Sequence, residues 1–216
     1  RTGDPTSAFK RGGVLDLRAL REDWRSPGFH EALHILVAER MGEELIALLP
    51  DLVDLYQTTD AFLGSLVWRE PKAVTPQAVE HLLALKVSRK DKVIETLVTL
   101  ATVPSHPLNI RFTDALLRKV SMGDRDAWWT TGLHALWGQK GAIDRLIQWA
   151  DRLWPHNEIE AESAELTAIA IAWLLTSSNR YLRDHATKSL VRVLTWKPDL
   201  AANMVAKFAQ LDDAYV

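Results

Sequence analysis

Cysteine is absent from the 216 residues. That excludes a disulfide-stapled scaffold and any metal centre built on thiolates, and it fits a reducing compartment. No apolar run is long enough to span a bilayer, so no membrane partner is expected. β-branched residues never alternate with polar ones over a useful length, so no strand pair is expected either. An excess of one charge is missing too: 26 Lys and Arg stand against 28 Asp and Glu, a formal net charge of −2. Dedicated nucleic-acid and membrane-surface binders usually carry a basic excess, which disfavours both classes. The phosphate-cradling G-x-x-x-x-G-K-[ST] and the nucleophile-elbow G-x-S-x-G do not occur. Gly138-Gln139-Lys140-Gly141 is too short for the first and follows a helical pattern rather than a strand.

What remains is ordinary globular material, 47 % hydrophobic and 25 % charged, in a chain long enough to bury a core. Nine tryptophans are many, and most fall at helix-face positions, where filling the core is their expected role. Apolar residues recur at helical spacing along most of the chain. Val79, Leu82, Leu83 and Val87 form one stripe, and Val93, Leu97, Leu100 and Ala101 the next, with Ser88 and Asp91 as a capping box between them. Asp124 is placed to cap a Trp-rich helix facing in through Trp129, Leu133, Leu136 and Trp137. Ile143, Leu146, Ile147, Ala150 and Trp154 mark another helix, and Leu166, Ile169, Ala170, Trp173 and Leu174 one more. About eleven or twelve helices with short connections are expected. The opening RTGDPTSAFKRGG (1–13) is a linker or tail, and 14–216 a single helical-repeat domain, a fragment of a longer protein.

The stretch Leu175–Leu194 is the most strongly patterned. Asn179 can cap a helix in which Leu182, Ala186, Leu190 and Val193 form one apolar stripe. The other side carries Arg180, Arg183, Asp184, Lys188 and Arg192, with Asp184 four residues from both Arg180 and Lys188. These five charges are the candidate binding residues, on the surface or between repeats. Arg183 or Asp184 is expected to bond to a neighbouring loop or repeat, so that Asp184→Ala costs more than loss of an exposed pair. Thirty-four residues after Tyr181-Leu182 comes Tyr215-Val216, again behind a polar turn, Leu211-Asp212-Asp213. Between them Leu200, Met204, Val205 and Phe208 keep helical spacing. Helix, Asp- or Asn-bearing turn, helix is the layout of HEAT-type repeats. The fold expected is therefore all-α, a HEAT-like α-solenoid of antiparallel helix pairs.

One catalytic motif is present. His30-Glu31-Ala32-Leu33-His34 is an HExxH, in which two histidines one helical turn apart can share a zinc ion while the Glu acts as general base. Pro27-Gly28 puts His30 in the first helical turn, no third His follows at metzincin spacing, and Glu39 falls on another face. A structural role is the reading preferred here, with no catalytic residue, metal or cofactor. A zinc-dependent peptidase using His30, Glu31 and His34 is the competing class. Asp124, Arg125 and Asp126 beside Trp128 and Trp129 also resemble the Trp, Asp and Arg clusters of some HEAT-like DNA glycosylases. For that cluster an N-cap with a charged first helical turn is the simpler account. The third class is a nucleic-acid-binding HEAT-like protein that uses Arg180, Arg183, Lys188 and Arg192.

Four stretches together resemble a known family: Val67–Pro71 (VWREP), Gly123–Thr130 (GDRDAWWT), Gly141–Ile147 (GAIDRLI) and Thr176–Lys188 (TSSNRYLRDHATK). They are similar to the helical region of large bacterial P-loop NTPases of the STAND class. In some members a C-terminal repeat array senses a phage protein and the ATPase oligomerises an effector. The resemblance runs from about residue 60 to the end. It implies a non-catalytic scaffold or sensor segment, cytoplasmic, whose partner is another protein or another part of its own chain. The Walker motifs are not in this chain, so no nucleotide-binding residue carries over.

Overall fold

Asn179 sets the start of the longest helix among the described residues. Its side-chain oxygen accepts from the backbone N–H of Tyr181 and Leu182, at 3.0 and 3.3 Å, which satisfies two of the donors that a helix start leaves open. Asn179→Ala is expected to destabilise by about 1 kcal/mol in urea melts, whereas Asn179→Ser keeps most of the cap.

The computed structural model describes residues 56–84, 90–152, 159–209 and 211–213. Among them every regular element is helical and no strand occurs. No helix among them is long and apolar enough to cross a membrane. The chain divides into two compact units, 1–89 and 90–216. Several expectations fall outside the described residues: the elements before Tyr56, the Ser88 end of the capping box, Val87, Trp154 and Tyr215-Val216.

In the first unit, α1 (Tyr56–Leu66) is followed by a 3-10 turn (Pro71–Ala73) and α2 (Pro76–Ala84). Phe62, Leu63 and Leu66 of α1 and Ala78, Val79 and Leu82 of α2 are buried. Ser65 closes α1 by donating to the Phe62 carbonyl at 2.6 Å and accepting from Arg69 Nε at 2.9 Å.

The second unit contains α3 (Lys90–Leu100), α4 (Ile110–Lys119), the single turn α5 (Met122–Arg125), a π-helical turn (Asp126–Thr130), α6 (Thr131–Leu136), α7 (Ala142–Arg152), α8 (Ala161–Leu174), α9 (Arg180–Trp196) and α10 (Asp199–Phe208). α8 is the centre. From Leu166 to Leu174 every residue is buried, so this helix is apolar all round rather than striped. α4, α9 and α10 pack around it, while α3 packs against α4, α6 and α7, and α7 against α9. Leu182, Ala186 and Val193 of the expected α9 stripe are buried and Leu190 is partly so. Ser189 joins them fully buried, because its hydroxyl donates to Asp151 of α7 at 2.7 Å.

The Trp-rich helix differs from its sequence reading. Its cap is Ser121, not Asp124: Ser121 Oγ accepts from the Asp124 N–H and donates to the Asp124 carboxylate at 2.7 Å. The helix then widens into the π-turn, where one extra residue per turn brings both Trp129 and Thr130 inward. Val205 also departs from its expected stripe. It is 70 % exposed, and only Met204 and Phe208 of α10 are buried.

Gly132 lies where α6 meets α3. A Cβ there would come 2.2 Å from Ile94 Cδ1, and Ile94 is fully buried. Overpacking costs about 1–3 kcal/mol, and the better helix propensity of alanine offsets about 1. Gly132→Ala is expected to lose about 1 kcal/mol net in chemical denaturation, although the same change raises the stability of an isolated helix.

Candidate functional site

Trp173, the penultimate residue of α8, is the point where charge enters the core. Its indole is fully buried. The ring N–H donates to Asp114 Oδ1 at 2.9 Å. The guanidinium of Arg118 lies 5.8 Å from the ring centre and that of Arg125 5.7 Å, and Phe208 meets the ring edge-on at 5.6 Å. Arg118 also sits 5.1 Å from the Phe208 ring. Cation–π contacts strengthen when water is excluded, as it is around Arg125, whereas Arg118 stays partly exposed.

Asp114 and Arg125 of this stack come from positions that helical spacing turns inward. On α4, Ile110, Thr113, Asp114 and Leu117 share the buried face. Asp114 is 6 % exposed and serves three donors: Trp173, Arg118 Nε at 2.9 Å, and Lys207 Nζ of α10 at 2.9 Å on its other oxygen. Arg118 reaches further and donates to the Lys207 carbonyl at 2.9 Å, covering the exposed C-terminal end of α10. Arg125 stands four residues before Trp129 and eight before Leu133, on the same inward stripe. Its side chain is 3 % exposed and pairs with Asp213 at 3.3 Å, while Nη2 also donates to the Asp212 carbonyl at 2.8 Å. Its Nε has no hydrogen-bond partner.

The end of α8 is closed by side chains of the π-turn. The Trp129 indole N–H donates to the Trp173 carbonyl at 3.2 Å, and the Thr130 hydroxyl reaches the Thr176 carbonyl at 3.3 Å. With Arg125 committed to Asp213 and Trp129 buried, the Asp124–Trp129 run does not present a free base-binding face. Asp126 accepts from Thr130 Oγ1 at 2.9 Å, and Asp124 belongs to the Ser121 cap.

Among the five charges expected to bind, Arg180, Asp184, Lys188 and Arg192 fall at four-residue steps along one exposed face of α9. Asp184 pairs with Lys188 at 2.7 Å. That hydrogen bond, then the charges of Lys188, His185 and Arg180, holds the Asp184 carboxyl below its ordinary pKa. Arg192 crosses to Asp151 of α7. Arg183 donates to the Ser177 carbonyl at 2.6 Å and braces the turn before its own helix. Arg183 is thus the member of the pair that bonds to a loop. Asp184 bonds within its helix, so the large loss expected for Asp184→Ala gives way to the small effect of an exposed i,i+4 pair. Of the Trp173 stack, the sequence candidates held only Arg125, and in a different cluster.

His30, Glu31 and His34 lie outside the described residues. Among the described residues, no three His, Asp or Glu side chains are grouped so as to hold a metal ion. Compared with known proteins, the chain matches no family model, no curated protein and no solved structure.

Proposed function

We propose that this chain is a non-catalytic helical scaffold or sensor segment that contacts another protein or other parts of its own polypeptide. In this reading its helix pairs belong to a HEAT-like α-solenoid continuing through 14–216, within a cytoplasmic bacterial STAND-class NTPase, and the role in phage defence known for some of that class extends to it. The observation that supports it best is the two-sidedness of α9. One face is locked onto α8 and α7 through Leu182, Ala186, Ser189 and Val193, and the other stays open, with Tyr181 75 % and Val191 58 % exposed among the charges of Arg180, Lys188 and Arg192. An aromatic and an aliphatic side chain set among long cations on a rigid helix form a surface of the kind protein partners use.

The test starts from the full reading frame. A Walker A motif upstream is expected, and a frame without one overturns the NTPase assignment. In the encoded protein, Arg180→Glu with Lys188→Glu is expected to leave the thermal midpoint within a few degrees, since both side chains are exposed. The same pair should weaken ATP-dependent assembly in sedimentation velocity by about tenfold or more, from reversed charge across an interface. Unchanged assembly would remove this face of α9 from the partner surface.

A further inference from the structure

α10 is lightly bound to its unit. Only Met204 and Phe208 of its ten residues are buried, against ten in α8. It joins α9 through Lys197 and Pro198, and Pro198 has no backbone N–H with which to extend α9 into α10. Its attachment is concentrated at one end. Lys207 bonds to Asp114, the Lys207 carbonyl accepts from Arg118, Phe208 covers the Trp173 ring, and Asp212 and Asp213 engage Arg125. An element with few apolar contacts and an ionic clasp is the kind that opens locally while the core stays folded.

We propose that α10 with residues 211–213 is a latch over a peptide-binding site. The site is the Trp173 ring with Arg118 and Arg125, and it takes an acidic segment with an aromatic residue ahead of its carboxylates. The chain's own Phe208, Asp212 and Asp213 fill it in cis. With the latch lifted, Arg118 keeps Asp114, Arg125 loses Asp213, and the part of the Trp173 ring that Phe208 touches is bare. The fit of the cis occupant leaves room for a competitor. Asp213 reaches Nη2 of Arg125 at 3.3 Å, and Arg125 Nε stays buried without a partner. A carboxylate that engages Nε and Nη2 together forms the stronger two-point bond. Opening of this latch does not depend on the partner or the NTPase proposed above.

The absence of native cysteine makes opening measurable. Met204→Cys places a thiol under the latch, and Ala150→Cys places one in the core of α7. Adding Asp213→Asn to each is expected to speed thiol labelling at position 204 by about tenfold or more, because a buried pair is broken, and to leave position 150 unchanged. A synthetic peptide of residues 204–213, added to the Met204→Cys protein, should also speed labelling at 204. The same peptide with alanine in place of Phe208, Asp212 and Asp213 should not. Equal acceleration at 204 and 150 would mean that the whole unit opens together and would overturn the latch, as would no acceleration at 204. Equal effects of the two peptides, or none, would overturn the exchangeable site.

Discussion

Trp173→Ala is expected to remove about 5 kcal/mol from the second unit, the upper end of the range for truncating a buried aromatic side chain. Cavity formation is only part of the reason. The indole N–H is one of three donors to Asp114, and two guanidinium groups and the Phe208 ring rest on its faces and edge. Their arrangement depends on a flat ring at this place. Small domains have about 5–15 kcal/mol in total, so the variant is expected to sit at the margin of folding. Trp173→Phe separates the contributions. It keeps an aromatic face for the two arginines and loses the N–H, so about 1–3 kcal/mol should go with the bond to the charged acceptor. Guanidinium denaturation followed by far-ultraviolet circular dichroism gives both values. A loss below about 1 kcal/mol for Trp173→Ala would mean that the stack does not hold the unit together.

The apolar half of this unit was legible in the sequence, and the polar half was not. The stripes Val93-Leu97-Leu100, Leu166-Ile169-Ala170-Trp173 and Leu182-Ala186-Val193 are buried as their spacing implies. Periodicity works there because burial of apolar surface is the only demand on those positions. Asp114 and Arg125 violate the same pattern: each stands where its helix needs an apolar residue, four from Ile110 and four from Trp129. That mismatch was the available signal. A charge at an inward position is tolerated only with partners, so it implies them even where the sequence does not say who they are. Lys207 and Asp213, the partners, are remote in sequence, and no local rule connects them. Pattern reading went instead to the exposed charges of α9, which are regular because solvent makes few demands on them. The π-turn was hidden for a different reason. One inserted residue leaves local composition unchanged and shifts only which of Trp128, Trp129 and Thr130 turn inward.

The Arg125–Asp213 pair should respond unequally to loss of its two members. Arg125→Ala is expected to destabilise the second unit by about 3–5 kcal/mol, the usual effect of removing one partner from a buried pair. It removes the Asp213 contact, the bond to the Asp212 carbonyl and the cation over Trp173 together, and it leaves a void beneath the ring. Asp213→Ala strands the opposite charge, and a stranded guanidinium in a closed core would cost as much. Here the segment that covers Arg125 is the latch. Once it lifts, water reaches the guanidinium, so the global loss from Asp213→Ala cannot exceed the free energy with which the latch closes. Asp213→Ala should therefore be clearly milder than Arg125→Ala in the same urea series. Asp213→Ala in an Arg125→Ala background should add less than it does alone, because the two share one interaction. Equal single losses would mean that Arg125 stays sealed from solvent without its partner, which is incompatible with a segment that opens on its own.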